Sequence, residues 1–297
     1  MASSGKMIIF GCRAEGIMSV VHFPEYRAYE QDRIKASDAM MALLAGSRLA
    51  ENTLRLTEGS SRFLPEIFPA VPHIQRINLT TANARKLLAD AEQHLSAMAV
   101  PYALAIHEDF VQTCFGLLIK AGLTTRGEAA SANASSMHRL FEQKVGQQLP
   151  SEPLEQFHLI RQMRNAVIHA GGKPKQGLIS AANNLSANAL ADWIKVAGAH
   201  PAARVALGVP VTFSHGELIL ALAVTKRISQ KMNFALRDRL PRNIWTDCAL
   251  VDFTVEHPNL NHLAQRKRKL SGFLRTYYQS LNLTEVEIGS GMQRAGW

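Results

Sequence analysis

Apolar residues recur along this chain at three- and four-residue intervals, in stretches cut by proline or glycine. That period suits a helix with one buried face and is of no use to a strand, whose side chains alternate every second residue. Met41, Leu44, Leu49, Leu54 and Leu56 give a helix over Met40–Leu56, stopped by Gly59-Ser60-Ser61. Pro65, Pro69 and Pro72 mark a connector. A long pattern then runs from Thr80/Thr81 through Leu87, Leu88, Ala91, Leu95 and Met98 to Pro101, which either kinks it or opens a new helix. Tyr102–Ala121 is helical and closed by Gly122, and Thr124–Ser135 is a polar loop before a short helix, Met137–Val145. Leu154–Ala170 ends at Gly171-Gly172, with Pro174 beyond, Ser186–Val196 is helical, and Gly216–Leu240 is stopped by Pro241. Strand signals are few: Lys6–Phe10 with Ile17–Phe23 as a hairpin, and Ala249–Val255. The expectation is a mainly α protein, a helical bundle with added terminal segments. Residues 1–75 form an N-terminal extension that could hold a hairpin and a helix, 76–242 the bundle, and 243–297 a basic C-terminal extension.

Composition narrows the class. With 47% hydrophobic residues spread over 297 positions, the chain has material for a large core and is not a disordered protein. The longest apolar runs, Pro101–Ile106 and Leu218–Val224, fall far short of the ~18 residues of a membrane span, so no membrane role is expected. Met1–Gly11 carries no secretory apolar core, and three widely spaced cysteines suit a reducing cytoplasm better than a disulfide scaffold. The net charge of +9 favours an anionic partner, with nucleic acid first among them.

The segment with the most chemistry is Gln156–Gly172. At roughly 100° per residue, Phe157, Ile160, Met163 and Val167 form an apolar stripe, while Arg161, Asn165 and His169 form a polar one at i, i+4, i+8. Arg164 falls at the margin of the apolar stripe, where a guanidinium needs a partner. His169 falls in the last turn, where free carbonyls favour an imidazolium. Such a cluster can grip a phosphodiester and move a proton. It can equally be structural, with Arg164 bridging to Glu108 or Asp109 and His169 capping the helix. The wheel of Tyr102, Ile106 and Phe110 makes Asp109 the better partner for such a bridge.

Arg164-Asn165-Ala166-Val167-Ile168-His169, followed by Gly171-Gly172, resembles the R-[polar]-x-x-x-H signature of HEPN domains (higher eukaryotes and prokaryotes nucleotide-binding), many of which are RNases. Tyr102–Val111 looks like the family's apolar helix with an acidic residue before an aromatic, which points to Glu108. The helix Leu218–Leu240 is a weaker likeness, so the resemblance covers about Leu79–Leu240. It implies a bundle that pairs two-fold and brings two such helices across a cleft. It further implies a metal-independent endoribonuclease without cofactor, in which the RNA 2′-hydroxyl attacks the adjacent phosphate to leave a cyclic phosphate end. His169 would transfer the proton, Arg164 would stabilise the phosphate, and Asn165 would orient either that phosphate or the histidine of a second copy. Arg161 would support the phosphate, and Glu108 or Asp109 would position Arg164. With one motif per chain, the composite site implies a homodimer. Members of this kind serve as toxins or in antiviral defence, some restrained by an antitoxin or another defence protein. The alternative is a non-catalytic helical dimer that binds nucleic acid or acts as a scaffold.

Two further basic stretches could face RNA. Lys226, Arg227 and Lys231 stand on the long helix with Arg237 and Arg239. Arg266-Lys267-Arg268-Lys269 precede Phe273, Arg275, Tyr277 and Tyr278, as phosphate contacts with aromatics for stacking or as an ordinary solvated face with an aromatic underside. His257 and His262 are separated by Pro258 and make a poor metal pair, and His107, His138 and His158 stand alone. Phosphate-loop, dinucleotide-binding, nucleophile-elbow and zinc motifs are all missing from the sequence.

Overall fold

The structure is a computed structural model that describes residues 19–169, 171–260 and 262–297. Among these residues the chain forms thirteen α-helices and no strand. In order they are α1 (Pro24–Arg55), α2 (Leu64–Ile67), α3 (Thr81–Ala89), α4 (Ala91–Lys120), α5 (Arg126–Ser131), α6 (Met137–Val145) and α7 (Ser151–His169). There follow α8 (Gln176–Asn183), α9 (Ala187–Ala197), α10 (His215–Arg239), α11 (Arg242–Glu256), α12 (Leu263–Tyr277) and α13 (Glu285–Arg294). The molecule is a mainly α helical bundle, and among the described residues no helix is long and apolar enough to cross a membrane.

The centre is α4, packed between α1 and α10, with α7 against both α4 and α10. α4 can be central because it is apolar on most of its circumference: Ala103, Leu104, Phe110, Val111, Cys114, Phe115 and Leu118 are all buried. It runs unbroken through Pro101, so the proline neither ends a helix nor starts one. α1 begins with Pro24 at its first turn and buries Tyr26 and Tyr29 against Phe110. Its second half, where the apolar repeat is easiest to read, leaves Leu43 and Leu49 exposed. α10 opens with a capping box, in which Ser214 accepts from Gly216 and Glu217 accepts from the Ser214 amide. A side chain at Gly216 would collide with the Ala197 carbonyl at the end of α9. One buried cluster continues from Val21 to Met292 and so joins the bundle to both flanking segments.

Three expectations change. Ala249–Val255 is not a strand but the second half of α11. Trp245, Ala249, Leu250 and Phe253 are buried at helical spacing, while Val251 and Val255, the β-branched residues that suggested a strand, are 65% and 73% exposed. Thr124–Ser135 contains α5, nucleated by a capping box between Thr125 and Glu128. Of the expected hairpin, Lys6–Phe10 lies outside the described residues. Its second arm, described from Ser19, makes no strand: the Val21 backbone is pinned instead by the Asn233 side chain, at 2.8 and 2.9 Å.

Candidate nucleic-acid interface at the end of α7

α7 is held by its apolar stripe. Phe157, Ile160 and Met163 are fully buried and Val167 is half-buried. The helix, described to His169, is closed by Gly171 and Gly172, which both adopt positive φ, 59° and 81°. The Gly172 amide returns to the Ala166 carbonyl at 2.9 Å, and the Val211 amide donates to the Gly172 carbonyl at 2.7 Å. The end of α7 is thereby tied to the segment ahead of α10.

The polar residues of α7 fall into two adjoining groups. In the first, Arg164 Nη2 donates to Glu108 Oε1 on α4 at 2.8 Å, with the Arg164 side chain 19% exposed. Asp109, the partner suggested by the helical wheel, is exposed instead and lines a separate shallow cleft beside Tyr102 and Ile106. The wheel misplaced the apolar face because Tyr102 is exposed: the true face is set by Leu104, Phe110, Val111 and Cys114, and Glu108 flanks its α7 side. Arg161 adjoins this pair. Burial first, and then the Arg164 charge, hold its pKa below the ordinary guanidinium range, with Glu108 acting in the opposite sense. Two guanidinium groups with one carboxylate between them leave a net positive charge.

The second group forms a groove of about 410 Å³ between the end of α7 and the start of α8. Asn165 and the exposed His169 line it together with Gln162, Lys173 and Lys175. Arg164 does not line it. Arg164 and His169 are five residues apart, roughly 140° around the helix, so a single chain presents them on different sides. The lysines were not singled out from the sequence, although Lys173-Pro174-Lys175 directly after a glycine stop carries the signal: a proline-stiffened turn holding two cations at a helix end.

Beneath the arginines runs a line of histidines. His107 Nε2 and His138 Nε2 are 2.9 Å apart with stacked rings, and His158 lies edge-on to His138 at 6.0 Å. Burial lowers the pKa of all three. His107 reaches about 3, with Arg33 as a lesser cause; His138 is lowered further by His107, and His158 by Arg161. His107 and His138 are buried in the core and His158 is half-buried at its edge, and burial favours the neutral ring in each.

The remaining basic residues are distributed as follows. Lys226 is exposed, Arg227 pairs with Asp192 at 2.7 Å, and Lys231 sits over the Phe234 ring at 5.8 Å. On α12, Arg266 stacks on Trp297 at 3.7 Å, while Lys267, Arg268 and Lys269 are exposed. The aromatics of that helix are not presented for stacking: Phe273 and Tyr278 are buried, and Tyr277 lies under Arg27 at 4.3 Å. Among the described residues no group of three His, Cys, Asp or Glu side chains could hold a metal ion.

No protein-family model, curated protein or solved structure matches the chain.

Proposed function

We propose that this protein is an endoribonuclease of HEPN type that works as a homodimer and needs no metal. The observation that supports this reading best is the arrangement of Arg164-Asn165-x-x-x-His169. The arginine is locked to a carboxylate of α4, and the histidine stands free at a cationic groove. In the proposed reaction His169 takes the proton of the RNA 2′-hydroxyl or returns one to the leaving oxygen, and Lys173 and Lys175 draw the strand's phosphates to it. Arg164 and Arg161 stabilise charge building on the scissile phosphate. Because one chain presents Arg164 and His169 on different sides, the Arg164 serving a given His169 comes from a second copy. A role as a toxin or defence nuclease, with an antitoxin or another defence protein as partner, is part of this reading by likeness only.

A second reading has its own observation. The absence of Arg164 from the groove and its ion pair with Glu108 suit a helical dimer that binds nucleic acid without cutting it. One experiment separates the two: total RNA incubated with wild type and His169→Ala in excess EDTA. Wild-type cleavage leaving cyclic phosphate ends, reduced by roughly 10²–10⁴-fold in the variant, supports the nuclease. RNA bound but intact with both proteins supports the binding dimer.

A further inference from the structure

Helices α12 and α13 each pack on α11 and leave a groove of about 530 Å³ between them. Its floor is apolar, with Leu274, Leu283 and Ile288 half-buried over the buried Leu270 and Met292. Its α12 wall is cationic: Lys267 and Arg275 line it two helical turns apart, roughly 12 Å. Both are exposed and, among the described residues, neither forms an ion pair, and the same is true of their neighbours Arg268 and Lys269. Elsewhere the molecule pairs such cations, as in Arg27 with Asp252, Arg242 with Glu287 and Arg294 with Asp247. Glu285 is the one carboxylate in the lining. On the α13 side the wall dips at Gly289, where an added Cβ would meet nothing within 4 Å.

An apolar trough about two turns long beside an unpaired cationic wall has the form that receives one face of an amphipathic helix, with anchors at i, i+3 or i+4, and i+7. We propose that this groove docks an amphipathic helix of an acidic partner protein, its apolar face on Leu274, Leu283 and Ile288 and its carboxylates against Lys267 and Arg275. RNA fits the floor poorly. Tyr278, the aromatic in the lining, is buried with its hydroxyl donated to Asp252 Oδ2 at 2.8 Å, so no ring face is open for base stacking. A second copy seated through its own α12 would set one cationic wall against another. The inference is independent of the nuclease reading.

The test uses the full chain and a fluorescein-labelled, lactam-stapled helical peptide of about four turns, with leucine on one face and glutamate beside it. Its twin carries lysine in place of glutamate. The acidic peptide is expected to bind by fluorescence anisotropy at least roughly tenfold more tightly than its twin. Gly289→Leu fills the trough at an open position and raises helix propensity. It should weaken the peptide by roughly tenfold or more with a melting temperature no lower than that of the wild type. Lys267→Glu with Arg275→Glu should reverse the preference between the two peptides. Equal affinity for both peptides, or binding that ignores Gly289→Leu, overturns the proposal. So does displacement of the peptide by a single-stranded RNA oligonucleotide, or a self-association in sedimentation that Gly289→Leu abolishes; these would give the groove to RNA or to a second copy.

Discussion

The two stacked histidines have a proton order that the hydrogen bonds determine. Tyr29 has one hydroxyl hydrogen and donates it to the Thr225 carbonyl at 3.1 Å, so toward His107 Nδ1, at 3.4 Å, it can only accept. His107 therefore carries its proton on Nδ1 and offers a lone pair at Nε2, which leaves His138 Nε2 as the donor across the 2.9 Å contact. Either ring on gaining a second proton would hold it without solvent, beside Arg33 or Arg161. The consequence for stability follows from the sign of the shifts. The unfolded chain protonates these histidines near pH 6.5 and the native state does not, so below that pH the unfolded state binds more protons and stability falls. His107 and His138 each contribute up to about 1.4 kcal/mol per pH unit below 6.5, and the partly exposed His158 contributes less because solvent screens it. Glu128 and Glu287 are held at about 2 by Lys144 and Arg242 respectively, and they begin to destabilise only below the ordinary carboxylate value of 4.5. Thermal melts between pH 7 and pH 5 therefore isolate the histidines. The melting temperature should drop steadily through that window, and a flat profile would contradict the buried neutral assignment.

At the level of elements, what the sequence revealed depended on whether local signals agreed with packing. α7 is readable because the apolar stripe of Phe157, Ile160, Met163 and Val167 and the stop at Gly171-Gly172 both follow local rules, and the observed helix, described over Ser151–His169, starts about a turn before the expected Leu154. α11 was misread because Val251 and Val255 carry a strand preference that their solvent exposure makes irrelevant. Glu108 and Asp109 could not be ranked correctly from a wheel, since which face of α4 meets α7 is decided by three helices packing at once. The groove at His169 was equally out of reach. It depends on where α8 sits, and that is set by a two-glycine turn and the Val211–Gly172 hydrogen bond. This turn can be tested directly. Gly172 has φ 81°, and a Cβ there would stand 3.2 Å from Pro210 Cβ. Gly172→Ala should cost about 1–2 kcal/mol in chemical denaturation. It should also lower RNA binding at the groove, whereas a control far from it, Gly46→Ala in α1, whose Cβ meets nothing within 4 Å, should leave that binding unchanged.

At the scale of the whole molecule, the proposed chemistry requires a second copy, and the proposal seats it on α7. Ile168 is 50% exposed on the flank of α7 that carries Arg161 and Arg164, between those arginines and the His169 turn. A solvent-facing isoleucine beside two guanidinium groups is a poor surface residue and a good central contact for a two-fold interface, where each α7 meets its own image. Pairing through Ile168 would lay Arg164 of one copy toward the groove of the other, the convergence with His169 that one chain does not achieve. Ile168→Asp removes that contact without touching the core, since the position is exposed, so its melting temperature should fall only by what the dimer contributes and should no longer depend on protein concentration. In sedimentation velocity it should convert a dimer to a monomer, and cleavage should fall with the dimer fraction while Lys173 and Lys175 still bind RNA. A monomeric Ile168→Asp protein that cleaves at the wild-type rate would place all the chemistry in a single chain, and the roles assigned to Arg161 and Arg164 would then have to be abandoned.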